Sequence, residues 1–86
     1  MGIMGYFVYI LQSERDGSYY VGQTNSLEGQ LKRHNEGRSV YTKGKLPWRL
    51  VYHEVFESKA EAVKREYDIK DRKDRSYIEQ LVRAPR

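Results

Sequence analysis

A hairpin signal near the N-terminus constrains the fold of this chain more than any other stretch. Tyr6 to Leu11 is a β-rich aromatic run, Tyr19 to Gly22 is a second one, and Asp16-Gly17 between them is a turn dipeptide. Two apolar runs joined by Asp-Gly predict a pair of antiparallel strands. We expect the strands to run from about Tyr6 to Gln12 and from about Ser18 to Gln23.

The length of the hairpin loop decides which tyrosines become neighbours. Side chains alternate between faces along a strand, so a loop of even length places positions of opposite parity, such as Tyr9 and Tyr20, on one face. A two-residue turn pairs Tyr9 with Thr24 and leaves Tyr20 farther along the strand. A loop of four or six residues brings the two phenols within about 8 Å, the reach of cross-strand neighbours. Ordinary packing is the alternative, because tyrosine is a good strand former and the chain contains eight.

The next elements are predicted to be a helix, an irregular basic segment and a third strand. Asn25 and Glu28 form a capping box that opens a helix to about Asn35, with Gly37 as its stop. Gly29 is unfavourable inside this helix. The third strand, from Trp48 to Phe56, alternates so that one side is predicted to carry Trp48, Leu50 and Tyr52 and the other Val51, His53 and Val55.

Two more helices complete the pattern. Ser58 and Glu61 form a second capping box, which opens a helix to about Arg72. A last helix, from about Arg75 to Arg83, is expected to bury Tyr77, Ile78, Leu81 and Val82. The order strand-strand-helix-strand-helix-helix predicts an α+β fold with a small three-stranded, mostly antiparallel sheet, in a single domain spanning residues 1–86 after a frayed lead-in at residues 1–5.

Composition excludes several kinds of protein. At 86 residues there is room for one modest core. The absence of cysteine rules out disulfides, thiolate zinc sites and thiol catalysis. The two histidines, His34 and His53, lie on separate elements without metal-ligand spacing, and we assign His53 no role. Because no apolar run approaches the roughly 20 residues of a membrane span, we expect a cytoplasmic protein without a membrane partner.

The excess positive charge, +4 over the whole chain, is concentrated between the second and third apolar segments. Glu36 is the only acid there among six cations, which are Lys32, Arg33, Arg38, Lys43, Lys45 and Arg49. Interleaved with Tyr41 and Trp48, this stretch suits a nucleic-acid backbone and a stacked base, and an ordinary solvated loop is the alternative.

A carboxylate near the middle of an apolar helical arc is the second unusual feature. The arc of the Ser58 helix is set by Ala62, Val63, Tyr67 and Ile69, and Glu66 falls inside it. A carboxylate in that position needs a partner. Lys70, four residues on, would make an ion pair, whereas the functional alternative is a largely hydrated divalent metal such as magnesium.

The ordered set of motifs resembles the GIY-YIG nuclease family. The likeness rests on Phe7-Val8-Tyr9, Tyr20-Val21-Gly22, Gln23-Thr24-Asn25, His34-Asn35-Glu36-Gly37, Tyr41-Thr42-Lys43-Gly44, Pro47 to Tyr52, Ala60 to Glu66 and Ile69-Lys70. It is greatest for the small stand-alone bacterial members, which are related to the nuclease half of an excision-repair incision subunit. The resemblance implies a three-stranded antiparallel sheet flanked by helices and metal-assisted hydrolysis of phosphodiesters, with DNA the favoured substrate.

The resemblance also implies a role for each matching residue. Tyr9 would be the general base or the water-orienting phenol, with Tyr20 its partner at the phosphate. His34 would assist proton transfer or hold Tyr9 and the water in place, and Glu66 would bind a single Mg²⁺ or Mn²⁺ beside the leaving oxygen. The residues expected to contact nucleic acid are Arg33, Arg38, Tyr41, Lys43, Lys45 and Trp48.

Gln30 departs from the family pattern, which has arginine four residues before the histidine. Losing one such stabiliser costs about 2.7–4 kcal/mol, or roughly 10²–10³ in rate. Three explanations are open: a deliberate inactivating substitution, a natural loss that leaves a non-cleaving nucleic-acid-binding module, or replacement of the charge by Arg33. Because Tyr9, Tyr20, His34 and Glu66 are all present, the sequence favours a working nuclease changed at one position. Phe7, where glycine is usual, is a milder departure because that residue carries no chemistry.

Overall fold

The computed structural model describes residues 5–84, which form a three-stranded antiparallel sheet with three α-helices. In chain order the elements are β1 Tyr6–Ser13, β2 Tyr19–Thr24, α1 Leu27–Asn35, a short 3₁₀ turn Lys43–Lys45, β3 Trp48–Phe56, α2 Lys59–Asp71 and α3 Arg75–Arg83. The predicted α+β class and element order are confirmed. Of the expected lead-in, residues 1–4 lie outside the described part of the chain. No helix in the described range is long and apolar enough to span a bilayer.

The hairpin adopts the four-residue loop. Ser13 N–H donates to Ser18 O at 2.9 Å, so residues 14–17 form the loop, with Gly17 at φ +78°. Tyr9 is therefore paired with Gly22, not with Thr24. Tyr20 becomes the diagonal neighbour of Tyr9 on the same face, as the longer loop predicts.

β3 pairs with the other edge of β1 and contains an irregularity that the sequence did not reveal. Ile10 pairs with Tyr52 and Leu11 with Leu50, so Val51 is an extra residue in β3. A bulge of this kind reverses the alternation on one side of it. The prediction that Trp48, Leu50 and Tyr52 share one side is therefore wrong, because Tyr52 faces away from the other two.

The central sheet, in the order β2-β1-β3, separates two hydrophobic clusters. The site face carries the cluster of Tyr9, Leu11 and Trp48, against which α1 packs Leu27 and Leu31. The back face carries the larger cluster of Val8, Ile10, Val21, Tyr52, Ala62 and Ile69, covered by α3 through Tyr77, Ile78, Leu81 and Val82. Tyr67 was expected in the apolar arc of α2 but is 60% exposed.

Both α1 and α2 have side-chain N-caps, and the cap of α1 lies one residue after the predicted position. The predicted Asn25 cap of α1 is wrong, because Ser26 is the N-cap and its Oγ accepts from Gly29 N–H at 3.2 Å. A Cβ on Gly29 would lie 3.0 Å from that Oγ, so this otherwise unfavourable glycine fits the cap. At α2 the predicted Ser58 cap is confirmed, with Ser58 Oγ accepting from Glu61 N–H at 3.2 Å.

Candidate active site

The Tyr9 phenol lies on the site face, directly over the backbone of the neighbouring strand. Its cross-strand partner is Gly22, and a Cβ built on that glycine would lie 2.5 Å from Tyr9 Oη. Only glycine leaves space for the phenol to lie flat across β2. Tyr9 is consequently 2% exposed, and its hydroxyl is fixed near the middle of the site face.

Three rings from three elements meet at this hydroxyl. The ring centroid of Tyr9 lies 6.3 Å from that of Tyr20 and 6.2 Å from that of His34, and the Tyr20 and His34 centroids are 4.9 Å apart. His34 projects from the last turn of α1, so that its Nε2 is 3.2 Å from Tyr9 Oη. The predicted convergence of Tyr9, Tyr20 and His34 is thus present.

Thr42 holds the far side of the histidine ring. His34 Nδ1 lies 2.8 Å from Thr42 Oγ1, and both residues are almost completely buried. Since a neutral imidazole has one donor and one acceptor nitrogen, this contact constrains its tautomer and orientation. Sequence reasoning gave Thr42 no role, although it stood within one of the motifs that carried the resemblance.

A second set of contacts anchors the segment that carries Thr42. Trp48 Nε1–H donates to Thr42 O at 2.9 Å, and Asn35 holds the Trp48 backbone through bonds of 2.7 and 2.9 Å. Trp48 is therefore 4% exposed and not placed to stack on a base as expected. The Asn35 contacts were also missed, because an exposed helical asparagine gives no signal of such pairing.

The surroundings of the Tyr9 hydroxyl include two more of the predicted site residues. Burial, the adjacent Tyr20 and the Glu66 carboxylate raise the pKa of Tyr9 well above its usual value, while a hydrogen bond from the Gln30 side chain lowers it. Gln30 and Glu66 therefore lie near enough to influence this phenol. Burial, together with the Arg33 charge, lowers the pKa of His34. Both groups are neutral at pH 7 as a result.

Glu66 forms the ion pair that the helical spacing predicts. Its Oε2 lies 2.6 Å from Lys70 Nζ, with the Glu66 side chain 17% exposed. Lys70 Nζ also lies 5.9 Å from the centroid of the Tyr20 ring. Lys70 thus brings a positive charge to the Tyr20 edge of the site, whereas the sequence predicted Lys70 only as a partner of Glu66.

The donor set fits a sparsely coordinated hard cation. Within residues 5–84 no three His, Asp or Glu side chains are grouped as metal ligands, and Glu66 is the acid that acts on Tyr9. Magnesium commonly binds through one or two carboxylates, retaining water and taking substrate phosphate as its other ligands. Glu66 alone satisfies that minimum, provided that Lys70 moves off the carboxylate.

The predicted basic residues form an exposed border beside the site. Tyr41 is 86% exposed. The other exposed members are Arg33, Arg38, Lys43 and Lys45. Arg38 lies 3.5 Å from Glu36, and Lys45 lies 3.6 Å from Asp16; such surface pairs are weak and exchange readily. The border therefore presents cations and one aromatic ring to solvent.

Comparisons with known proteins agree with this geometry. A family model described as the GIY-YIG catalytic domain matches residues 5–78. UPF0213 proteins of Staphylococcus aureus strains Mu3 and N315 are each 46% identical over 66 residues, which is 76% of this chain and 79% of each relative. The solution NMR structure of the UPF0213 protein BH0048 from Bacillus halodurans is similar with a TM-score of 0.57 and 42% identity, covering 92% of this chain and 83% of that one.

Proposed function

The chain belongs to the GIY-YIG family, and on that premise we propose that it is an endonuclease that hydrolyses phosphodiester bonds of DNA with the help of one divalent metal ion. The family is one of nucleases, so the coarse substrate class is nucleic acid. The observation that carries the proposal is the convergence on the Tyr9 hydroxyl, which contacts His34 and whose pKa responds to Tyr20, Gln30 and Glu66.

In this proposal Tyr9 and His34 act as a relay. Tyr9 Oη donates to neutral His34 Nε2 while His34 Nδ1–H donates to Thr42 Oγ1. As the attacking water gives a proton to Tyr9 Oη, the proton of Tyr9 passes to His34, so no free phenolate forms. This route suits a phenol whose pKa is raised, since a tyrosinate would be a costly intermediate.

Glu66 and Tyr20 would act on the phosphate. Tyr20 donates a hydrogen bond to a non-bridging oxygen, and Glu66 holds a hydrated Mg²⁺ or Mn²⁺ ion. That ion, when bound, supplies positive charge at the scissile phosphate and its leaving oxygen. The Gln30 amide offers one neutral hydrogen bond where arginine would offer a charged fork, so we expect slow cleavage by the chain as it stands.

A metal titration with labelled single-stranded, duplex and branched DNA tests the proposal. We expect metal-dependent nicking that is weak in this chain, faster in Gln30→Arg and lost when Tyr9→Phe is added. Circular dichroism and metal-binding measurements establish that each variant is folded and loaded. Equal, metal-independent background in all three proteins would exclude the enzyme.

The second candidate is a nucleic-acid-binding module that does not cleave, favoured by the neutral Gln30. It predicts binding whose logarithmic affinity falls linearly with log salt concentration, without product under any metal. We extend the leading proposal to a cytoplasmic role in DNA repair, on the resemblance to the nuclease part of an excision-repair incision subunit. Preference for branched or damaged DNA over intact duplex in the same assay tests that extension.

A further inference from the structure

A groove outside the catalytic cluster runs along the free edge of β2. It lies between this strand and the junction of α2 with α3, and its volume is about 470 Å³. Tyr20 and Lys70 line both this groove and the candidate active site. A strand of nucleic acid that places one phosphate beside Tyr20 would therefore have its next nucleotide at the mouth of the groove.

The floor of the groove is apolar. Val21 and Ile69 are 6% and 1% exposed, and Ile78 and Tyr19 complete the apolar part of the lining. The Arg75 guanidinium lies 4.7 Å from the centroid of the Tyr19 ring. The half-buried Tyr19, Tyr20 and Ile78 supply the accessible apolar surface beside these buried residues, and such a surface suits the flat face of an unstacked base.

Three cations surround this floor. They are Lys70, Lys73 and Arg75. Lys70 is paired with Glu66, and Arg75 contacts Glu79 and Gly17 O. Lys73 has no ion pair within 4.0 Å among residues 5–84, which leaves it the cation best placed to take a new anion.

The one acid lining the groove does not oppose an incoming phosphate strongly. Asp74 is the N-cap of α3, and its Oδ1 accepts from Ser76 N–H at 2.9 Å. The carboxylate is thus turned into the first turn of the helix. The balance of charge around the floor is positive, which is complementary to a phosphodiester.

We propose that this groove is a nucleotide subsite, in which Lys73 and Lys70 bind the phosphate next to the scissile one and the apolar floor receives an unstacked base. The inference rests on the proposed function, because it assumes a nucleic-acid strand in the neighbouring site. It adds a binding determinant beyond the basic border of Arg33 to Lys45, and the two adjoin at Lys45, whose Nζ lies 3.3 Å from Ser18 Oγ in the groove lining.

A matched pair of lysine variants tests the role of charge. Lys73 has φ +49°, so Lys73→Asn keeps a residue that tolerates this conformation, and Lys64→Asn removes an exposed lysine of α2 away from the groove. Binding of a fluorescein-labelled single-stranded oligonucleotide is measured by anisotropy across salt concentrations. Losing one phosphate contact should reduce the slope of log affinity against log salt by about 0.7 in Lys73→Asn. Lys64→Asn should leave it unchanged.

An NMR titration of the unaltered chain tests the floor without any substitution. A deoxynucleoside 5′-monophosphate should shift the amides of Val21, Ile69 and Lys73, whereas inorganic phosphate should shift Lys73 without the two floor residues. Absence of oligonucleotide binding by the unaltered chain would remove the proposed function. Binding that persists with equal slopes in both lysine variants, and with no nucleotide-induced shifts in the groove, would overturn the subsite alone.

Discussion

The two faces of the sheet each hold a polar cluster, and the clusters differ in how many groups hold the carboxylate. On the back face Arg65 binds both oxygens of Glu54 at 2.9–3.2 Å, Tyr52 donates to the same carboxylate, and Arg65 also reaches Asp68 at 2.6 Å. These contacts lower the pKa of Glu54. The cluster is a closed clamp between β3 and α2.

On the site face the carboxylate is held by fewer groups than Glu54 is on the back face. Tyr9, His34 and Thr42 form a chain of neutral contacts, and among residues 5–84 the ion-pair partner of Glu66 is Lys70 alone. The pKa of Tyr9 is raised mainly by burial, with further contributions from Tyr20 and the Glu66 carboxylate. A carboxylate held by several groups stabilises the fold, whereas Glu66, held by an exposed lysine, can exchange that partner for an incoming charged group.

The largest expected effect separates two buried tyrosines. Measured in the Gln30→Arg background, Tyr9→Phe should slow cleavage by about 10²–10⁴ because the proton relay is broken. Tyr52→Phe removes the equivalent hydroxyl on the back face, and should cost about 1.5–3 kcal/mol of unfolding free energy without slowing cleavage. Single-turnover rates and urea unfolding measure the two quantities. Similar rate losses in both variants would mean that the faces do not differ in function.

The second-largest effect concerns arginine, which the back-face cluster contains as Arg65 and the site face lacks at Gln30. Gln30→Arg should raise the cleavage rate roughly 10²–10³-fold, since it supplies a charged fork at the phosphate. The reverse change on the back face, Arg65→Gln, should leave the rate unaltered and lower the unfolding free energy by about 1.5–3 kcal/mol through weaker bonds to Glu54. A gain below tenfold in Gln30→Arg would indicate that Lys70 or Arg33 already supplies the charge.

A feature of the fold or of the site could be predicted from the sequence where its local pattern has a single structural solution. The hairpin could be predicted because Asp16-Gly17 separates two aromatic runs. The sequence did not fix the length of its loop, and that length decides whether Tyr9 pairs with Gly22 or with Thr24. Asn25 and Ser26 are equally good caps, so α1 was placed with an error of one residue at its N-cap.

Other features depended on contacts between distant segments. The extra residue at Val51 breaks no local rule, because valine suits either side of a strand. Trp48 carried the signature of a base-stacking residue in a basic stretch, yet its indole N–H is bonded to Thr42 O in the interior. The role of Thr42 itself could be recognised only once α1 and the following segment had been brought together around His34.

The third effect tests whether space, as well as charge, distinguishes the site face. Gly22→Ala places a Cβ 2.5 Å from Tyr9 Oη, so the phenol or β2 must shift. We expect a loss of about 1–3 kcal/mol in unfolding free energy and a slower cleavage rate as Tyr9 leaves His34. Gly44→Ala is the matched control, because its added Cβ meets nothing within 4 Å. Retained activity in Gly22→Ala would show that the position of the phenol is less restricted than its contacts imply.

The smallest expected effect is a difference in the pH range over which each face loses its contribution to stability. The pKa of buried His34 is lowered from 6.5, so the unfolded chain binds this proton more readily than the folded one. The stability due to neutral His34 is therefore present above pH 6.5 and is lost as pH falls through the folded value. Tyr9 and Thr42 contact the ring without a charge, and Arg33 opposes its protonation.

The stability contributed by Glu54 also decreases as pH falls, but in a lower pH range. Its pKa is lowered from 4.5, so the stability of the back-face clamp is lost only as pH falls below about that value. Unfolding measured between pH 7.5 and 3 in steps should show an upper decline that disappears in His34→Gln and persists in His53→Gln. The lower decline should diminish in Glu54→Gln. The contrary outcome is a single decline in unfolding free energy that His34→Gln and Glu54→Gln alter equally. It would mean that the two faces titrate as one coupled network, since independent sites on opposite sides of β1 would not share a transition.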